Sequence, residues 1–361
     1  MTGGTERLDA LDVFRGITIA AMILVSTPGS WDFVYPWLEH APWNGWTLAD
    51  LVFPFLLFAM GAAVPFALGR RRGTPRAVRR HVLRRALVLF ALGLLLNAIQ
   101  TPPPLHLATF RIPGVLQRIA LVYLAVSWIT ERLSTRAQIM VATAALGGYW
   151  LVLAAAPLSA EANLGAVIDR RVFGRHMLYP LWDPEGLLST VPAIATALCG
   201  VFAGDWLKER GAAHRAWWLW AAGAAATAVA LLWSRALPIN KNLWTSSYAV
   251  FSAGVAAQVL AICYWTIDVK RWRGWSLPFV AFGRNPLAAY FLSVGLDAVL
   301  ARWSVAGASS LKAWLYRNAF LSWLRPCCGS EAAALGYAIA YVALWGVVVT
   351  WMHRRRVFIG I

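Results

Sequence analysis

Ten apolar segments of 18 to 25 residues run through the chain and limit its fold more than any other feature. A helix of roughly 20 apolar residues spans the hydrocarbon core of a bilayer. The segments lie at 11–28, 48–69, 82–99, 113–130, 137–156, 187–207, 215–234, 243–267, 276–300 and 333–352. They predict an all-α, polytopic transmembrane bundle of about ten spans, or eleven if the mixed aromatic and basic stretch 311–324 crosses rather than lies at the interface.

Composition argues against the main alternative, a large soluble all-α protein. Hydrophobic residues make up 60% of the chain and charged residues 14%, whereas soluble domains carry about 25% charged residues. A soluble bundle needs polar faces on most helices, and segments such as 13–25 and 137–156 have almost none. Because no internal repeat or low-complexity linker divides the chain, we expect one transmembrane domain over residues 1–361.

The net charge of +17 comes largely from arginines in short loops, a distribution typical of membrane topology rather than of nucleic-acid binding. Eight arginines follow the second apolar segment within residues 70–85, and the loop 29–47 before that segment has none. Because positive charge collects on the cytoplasmic side, we expect both termini in the cytoplasm and the loop 29–47 on the opposite side. We expect no nucleic-acid partner.

The four cysteines, Cys199, Cys263, Cys327 and Cys328, show neither metal-ligand spacing nor a disulfide framework. Two lie in apolar segments and two are adjacent. We therefore expect no metal site.

Polar residues within or beside the spans sort into two levels under this topology. Ionisable residues inside spans cost roughly 2.5–3.5 kcal/mol each on insertion scales, so they commonly line a cavity. The cytoplasmic level contains Asp12, Arg15, Arg284 and Asn285, and the opposite level contains His40, Asp50, Arg118, Asp183, Glu185, Asn240, Lys241 and Asn242. A molecule with an anionic head in the cytoplasm and a reactive end at the other face would suit this layout.

His40 is the candidate for chemistry, because imidazole acts as acid and base near neutral pH and can also accept an acyl group. A histidine in an interfacial loop explains the position equally well. Asp50 could orient the imidazole, but Thr47-x-x-Asp50 is also a helix-capping signature. Asp183-Pro184-Glu185-Gly186 likewise fits ordinary helix-start chemistry.

Tryptophans are abundant, with 21 in the chain. Interfacial anchoring accounts for most of them. Those in loops beside the outer polar level could instead stack on a sugar, and they are Trp31, Trp37, Trp43, Trp46 and Trp182.

Six short motifs follow one another along the chain: Leu11–Gly16, His40–Thr47, Asp50–Phe55, Arg111–Arg118, Asp183–Gly186 and Asn240–Thr245. In these motifs and their order, the chain resembles the transmembrane acetyltransferase family of heparan-alpha-glucosaminide N-acetyltransferase and its bacterial relatives. The resemblance implies transfer of acetyl from cytoplasmic acetyl-CoA to the amine of a terminal glucosamine on the far side. It implies that the histidine matched by His40 is catalytic, either as acetyl carrier or as general base. A homodimer and a place in the bacterial cytoplasmic membrane are further expectations.

One departure from the family pattern lies at the end of the first span. Relatives usually carry an asparagine there, to which a catalytic role is assigned, whereas this chain reads Val25-Ser26-Thr27. Ser26 or Thr27 must substitute, and a serine hydroxyl lacks the reach of an amide. The extramembrane domain of the lysosomal protein has no counterpart in this sequence.

These implications combine into a mechanistic hypothesis. The phosphates of acetyl-CoA pair with Arg15 and Arg284 near Asn285, the pantetheine arm threads the bundle, and the thioester meets His40. The catalytic candidates are His40, Asp50 and Ser26, with Arg118 binding the donor or the oxyanion. The candidates for binding the acceptor are Asp183, Glu185, Asn240, Lys241, Asn242 and Trp244.

Two other functions stay open. An O-acyltransferase of a cell-envelope glycan would share the whole architecture, because nothing in the sequence separates an amine acceptor from a hydroxyl. A secondary transporter also places charges in the membrane, but it favours inverted repeats and broken helices at the midplane.

Overall fold

The computed structural model describes residues 8–69, 75–101, 106, 108–208, 212–305 and 308–359. Of the eight arginines that follow the second apolar segment, Arg70, Arg71 and Arg72 lie outside these residues. The other five lie on the first half of a long helix, which begins at Pro75.

Helices dominate the described residues, which contain no β-strand beyond one isolated bridge. The helices are α1 Asp9–Ser26, α2 Leu48–Gly69, α3 Pro75–Gln100, α4 Val115–Arg132, α5 Thr135–Ala154, α6 Leu164–Phe173, α7 Thr190–Trp206, α8 Ala213–Trp233, α9 Ser246–Tyr264, α10 Leu277–Arg284, α11 Pro286–Leu300, α12 Leu311–Tyr316, α13 Ser322–Cys328 and α14 Ser330–Arg354. The all-α prediction is therefore confirmed.

Each predicted apolar segment forms a helix, with one interruption. The segment 276–300 is broken at Asn285 into α10 and α11, because Pro286 starts a new helix and cannot donate a backbone hydrogen bond. The stretch 311–324 is helical through α12, a π-helical turn at Arg317–Leu321 and the start of α13.

Within the described ranges, six helices are long and apolar enough to cross a bilayer. They are α2, α3, α5, α8, α14 and α9, which is extended by a π-helical turn to Val269. The chain is thus an integral membrane protein. The count of about ten spans and the cytoplasmic side of the termini stay predictions.

Glycines allow close contact between the helices that carry the polar residues. A Cβ on Gly16 of α1 would lie 1.8 Å from the carbonyl oxygen of Phe279, and one on Gly283 of α10 would lie 1.9 Å from that of Asp12. Small residues let membrane helices approach backbone to backbone. This contact places the Arg15 side chain against the Gly283 carbonyl.

A substitution at this contact tests its importance for stability. Gly283→Ala forces α1 and α10 apart, since the new Cβ would meet backbone atoms that cannot rotate away. We expect a loss of roughly 1–3 kcal/mol, the usual cost of overpacking, measured as a lower melting temperature in detergent. Gly295→Ala on α11 is the control, because no atom lies within 4 Å of its Cβ position. An unchanged melting temperature for Gly283→Ala would contradict the tight contact.

The bundle has two polar ends, which we name by one residue each. The Arg15 end contains the first half of α1, the second half of α2 and the break between α10 and α11. The His40 end contains the loop 27–47, the start of α2, the loop before α4, the segment 174–189 and the turn 239–245. Apolar side chains of α1, α2, α4, α7 and α9 fill the core between them.

Candidate active site

The His40 imidazole and the Asp50 carboxylate are in contact at the start of α2. His40 Nδ1 lies 2.8 Å from Asp50 Oδ1. The other carboxylate oxygen, Oδ2, accepts hydrogen bonds from the backbone N–H of Thr47 and Ala41, each at 3.0 Å. Both interpretations of Asp50 therefore hold geometrically, because one oxygen caps the helix and the other contacts the imidazole. A carboxylate only accepts, so Nδ1 donates to Asp50 Oδ1, and in the neutral imidazole Nε2 is the nitrogen that has a lone pair.

Lys241 completes this group from the turn before α9. Its Nζ lies 3.0 Å from His40 Nδ1, 3.1 Å from His40 Nε2 and 3.4 Å from Asp50 Oδ1. Burial lowers the pKa of Lys241, and the negative charges of Asp50 and Glu185 oppose that shift only in part. The ammonium can thus donate to the lone pair of Nε2 and can give up its proton more readily than an exposed lysine.

The turn 239–245 is fixed by polar groups that the sequence had suggested for substrate binding. Asn240 is fully buried, and its amide donates to Asn44 Oδ1 at 3.1 Å and accepts from the backbone N–H of Leu243 at 2.9 Å. These hydrogen bonds of Asn240 join the loop that carries His40 to the turn that carries Lys241. Asn242 is half-buried in the same turn. We therefore assign Asn240 a positioning role.

Trp244 is a core residue rather than a surface for ligand stacking. Its side chain is 1% exposed, and its indole N–H donates to Thr196 Oγ1 at 3.2 Å. Its φ of 50° is unusual for a bulky side chain. The strained backbone at this position lets the turn 239–245 close while the indole enters the bundle.

A second charged cluster lies at the same end of the bundle. Arg111 binds Asp183 through two hydrogen bonds, of 2.8 Å from Nε and 2.5 Å from Nη2, and it also contacts Glu185. Asp183 further accepts the backbone N–H groups of Leu178 and Glu185. Burial works to raise the pKa of Glu185, but the nearby cations, first of all Arg111, hold it below its usual range. Both oxygens of Asp183 thus accept from Arg111 and from the backbone.

Arg118 has unused donors in the interior. It is 1% exposed, and one of its terminal nitrogens donates to the Gly186 carbonyl at 3.0 Å and to the Ser189 hydroxyl. Its Nε and Nη1 have no hydrogen-bond partner among the described residues. The guanidinium also lies over the ring of Trp244, with 5.1 Å to the centroid. A buried arginine with two free N–H directions fits a ligand oxygen.

Asp169 on α6 supports the loop that carries Glu185. It accepts the backbone N–H of Leu187 at 2.9 Å. Burial raises the pKa of Asp169 to about 6. The folded protein thus keeps this proton at pH values where the unfolded chain has lost it.

This raised pKa predicts a pH-dependent effect of Asp169→Asn. Since the native state holds the proton longer, the contribution of Asp169 to stability falls as the pH rises from about 4 to about 6. We expect the variant to melt higher than the wild type at pH 7 and to lose this advantage at pH 4. Asp32→Asn, at an exposed carboxylate, is the control. If the melting temperatures of Asp169→Asn and the wild type differed equally at pH 4 and pH 7, the raised pKa of Asp169 would be contradicted.

At the Arg15 end, two predicted arginines share one carboxylate. Arg15 donates to Asp12 Oδ1 at 2.7 Å and to the Gly283 carbonyl, and Arg284 Nε lies 3.7 Å from Asp12 Oδ2. The Asn285 side chain is engaged by the segment that follows α14, because it donates to the Val357 carbonyl at 3.2 Å and accepts from the N–H of Ile359 at 3.0 Å. Asn285 therefore positions that segment.

Two adjoining cavities start from these arginines and point towards the His40 end. The mouth cavity, about 340 Å³, is lined by Asp12, Arg15, Arg85 and Arg284 among others. The deep cavity, about 110 Å³, shares seven lining residues with it, including Arg15 and Arg85, and continues to Leu56 of α2. Leu56 is six residues from Asp50, a helix rise of about 9 Å. The deep cavity therefore reaches α2 within two helical turns of Asp50.

Sequence reasoning missed Arg85 and Arg111 as members of these clusters. Arg85 was included only among the arginines that predict the topology, and Arg111 only as the first residue of a motif. Arg85 lies on α3, lines both cavities and stacks on Tyr123, with 4.9 Å to the ring centroid. Its Nε has no hydrogen-bond partner among the described residues. Its place inside the apolar segment 82–99 was the available signal.

The hydroxyl groups of Ser26 and Thr27, at the end of α1, differ in their hydrogen bonding. Thr27 is buried and donates to the Ile23 carbonyl of its own helix at 2.7 Å. Ser26 is the last residue of α1 and is half-buried. Of the two, Ser26 is the better candidate to replace the asparagine of the family pattern.

Aromatic rings connect the two clusters of the His40 end. Trp43, three residues after His40, packs edge to face on Trp182, with 5.2 Å between ring centroids. Trp182 precedes Asp183 and stacks on Tyr179 at 4.5 Å. Both tryptophans are half-buried. No group of three or more metal-ligating side chains occurs in the ranges that the structure covers.

Comparison with known proteins identifies the family of the chain. The family model described as heparan-alpha-glucosaminide N-acetyltransferase, catalytic, matches residues 7–240. The human protein named heparan-alpha-glucosaminide N-acetyltransferase is 26% identical over an alignment that covers 98% of this chain and 59% of the relative. The mouse protein of the same name is 28% identical, with 98% and 60% covered. The chain thus spans about 60% of the length of these relatives. Because the family model covers more than half of the chain, the protein belongs to the heparan-alpha-glucosaminide N-acetyltransferase catalytic family.

Proposed function

We propose that the protein is a membrane-embedded acyltransferase that moves acetyl from acetyl-CoA, bound at the Arg15 end, to an amino sugar at the His40 end. One observation carries the proposal: the His40–Asp50 contact lies at one end of the bundle, and a cavity lined by arginines leads towards it from the other. A bundle with arginines at one end and an imidazole at the other suits a donor that is anionic at one end and reactive at the other. The relatives' names supply the acetyl group and the amino sugar.

The mouth cavity fits the phosphates of the donor. Arg15, Arg85 and Arg284 line it, and one nitrogen of Arg85 is buried without a hydrogen-bond partner in the described part of the chain. Guanidinium groups bind phosphate through charge-assisted, often bidentate hydrogen bonds. Along α2 the cavities extend from Ala67 to Leu56, a rise of about 16 Å, along which the pantetheine arm would lie.

His40 would act through Nε2. With its Nδ1 proton held by Asp50, the imidazole takes a proton from the acceptor amine as the amine attacks the thioester carbonyl. The C–S bond then breaks, and the imidazolium returns the proton to the CoA sulfur. The same nitrogen could instead attack the carbonyl, so that the C–S bond breaks, CoA leaves as its thiolate and His40 carries the acetyl group. The amine then takes the acetyl group as the C–N bond to His40 breaks, and its proton passes through Nε2 to the CoA thiolate. In both routes Lys241 must leave Nε2, and the bound acceptor would replace it.

Arg118 and Lys241 would stabilise the negative charge that develops on the carbonyl oxygen. Arg118 is anchored by Gly186 and Ser189, so its free N–H groups are already oriented. Donors that are fixed before the reaction lower the barrier without reorganisation. Lys241 Nζ lies 3.0 Å and 3.1 Å from the two ring nitrogens of His40 and can supply a further positive charge.

The acceptor and the membrane are part of the proposal. The acceptor would lie between His40 and the half-buried pair Trp43 and Trp182, with Glu185 below it. The protein would lie in a bacterial cytoplasmic membrane with the Arg15 end in the cytoplasm. Cysteine-accessibility labelling tests this orientation: residue 40 and the arginine-rich start of α3 must react from opposite sides.

Binding and transfer of acetyl-CoA test the proposal. Acetyl-CoA binds the native state, so it should raise the melting temperature, by an amount that corresponds to about 2.7 kcal/mol at 100 times its Kd. Arg85→Gln should weaken this shift, whereas Arg79→Gln on the same helix, which pairs with Glu131 at 3.0 Å, should not. Labelled acetyl should then appear on glucosamine but not on N-acetylglucosamine. Acetylation of both sugars would favour a hydroxyl acceptor, and no shift with no transfer would refute the proposal.

A further inference from the structure

We propose that Tyr290 positions the thioester, with its phenolic O–H donating a hydrogen bond to the thioester carbonyl at the deep end of the donor cavity. This inference rests on the proposed function and adds a residue that neither the motifs nor the match to the family model includes, since that match ends at residue 240.

Tyr290 is one of two polar side chains of the deep cavity that lie away from the mouth. Among the described residues that line this cavity, the polar ones are Arg15, Arg85, Tyr123 and Tyr290. The two arginines also line the mouth, whereas the two tyrosines line only the deep cavity. The ring of Tyr123 lies under the Arg85 guanidinium. A donor that reaches past the arginines therefore meets Tyr290 as the polar partner that does not pack on Arg85.

The direction of α11 places Tyr290 towards the His40 end. Pro286 and Leu287, at the start of the helix, line both cavities, whereas Tyr290, one turn further on, lines only the deep one. On α4, Leu116 and Ile119 line the same cavity. Tyr290 thus lies on the part of the deep cavity wall that is one helical turn farther from the mouth than Pro286.

The backbone around Tyr290 is held in place. The Ser293 hydroxyl donates to the Tyr290 carbonyl at 2.9 Å, and the Tyr341 hydroxyl of α14 donates to the Ser293 carbonyl at 2.7 Å. The Tyr290 side chain itself is 9% exposed. A buried ring on a held backbone has few directions open to its hydroxyl, which suits a transition-state donor.

A tyrosine hydroxyl suits this position chemically. It donates one hydrogen bond and is uncharged at neutral pH, so it can lie in an apolar cavity beside a neutral thioester. When the acceptor attacks, the C=O bond becomes C–O⁻ and the same hydrogen bond strengthens. The proton stays on the phenol, and no bond to Tyr290 forms or breaks.

Tyr290→Phe removes this hydrogen bond and keeps the ring. With acetyl-CoA and glucosamine, we expect kcat to fall about 100-fold, the usual loss for one such donor, with little change in the Kd of acetyl-CoA. Tyr316→Phe is the matched control, because its hydroxyl bonds Ser330 on α14, outside the donor cavity. A fall in affinity with unchanged kcat, or wild-type kcat in the variant, would overturn the inference. If the wild type itself transfers no acetyl, the proposed function fails instead.

An infrared measurement on the wild-type protein does not depend on the folding of a variant. With acetyl-CoA labelled by ¹³C at the thioester carbonyl, the hydrogen bond should shift the carbonyl band to lower frequency than in an apolar solvent. Tyr290→Phe should reverse the shift, and Tyr316→Phe should leave it. An unshifted band in the bound wild type would refute the hydrogen bond.

Discussion

His40→Ala should lower the rate of acetyl transfer by about 10²- to 10⁴-fold, the range for loss of a general base. The effect follows from geometry, because Asp50 holds Nδ1 at 2.8 Å and leaves Nε2 as the basic nitrogen beside the turn that carries Lys241. Steady-state transfer of labelled acetyl to glucosamine measures it. The melting shift caused by acetyl-CoA should persist in the variant, since His40 lies at the end opposite the mouth cavity.

Three further variants define the cause of the loss. His214→Ala changes an exposed histidine on α8 and should keep full activity. Asp50→Asn keeps the size of the side chain but permits the wrong imidazole tautomer, so we expect a loss nearly as large as that of His40→Ala. Asp50→Ala should also destabilise the protein, because the capping bonds to Thr47 and Ala41 disappear. Full activity in a folded His40→Ala protein would remove imidazole chemistry from the mechanism.

Periodicity and length were sufficient to predict the helices, because a bilayer-spanning segment must satisfy its backbone internally. The break at Asn285 could also be predicted from the sequence, since a residue before proline disfavours a continuous helix. The two polar levels followed from topology, and the structure indeed groups Arg15 with Arg284 and His40 with Asp50. What sequence spacing could not supply was the pairing of distant segments.

Contacts between segments far apart in sequence decide which residues form the site. Nothing local indicates that Arg111 would bind Asp183, which lies 72 residues away. Trp244 and Asn240 belong to a motif that looks suited to a ligand, yet both are buried and hold the turn that carries Lys241. Tyr290 resembles any core tyrosine until the cavity beside it is known. A motif can therefore mark a site while most of its residues only support it.

Arg111→Met should destabilise the protein by roughly 3–5 kcal/mol, the usual cost of removing one partner of a buried ion pair. The guanidinium neutralises Asp183 and Glu185 at once, and both carboxylates are almost fully buried. Methionine leaves two like charges close together with little access to water. Melting in detergent at neutral pH measures the loss. Arg79→Met, which breaks the exposed pair with Glu131, should cost no more than about 1 kcal/mol.

Acidification should reduce the difference in stability between the Arg111→Met variant and the wild type. In the wild type, Glu185 has a lowered pKa, so its contribution to stability is present at neutral pH and is lost as the pH falls through that lowered value. In the variant, burial of Glu185 without the Arg111 cation raises the pKa of that carboxyl, so its protonation relieves the repulsion at a higher pH. Adding Asp183→Asn and Glu185→Gln to Arg111→Met should restore part of the lost stability at pH 7. If neither acid nor the added substitutions helped, the loss would come from packing rather than from charge, and Arg111 would not be the residue that holds the two carboxylates at the His40 end.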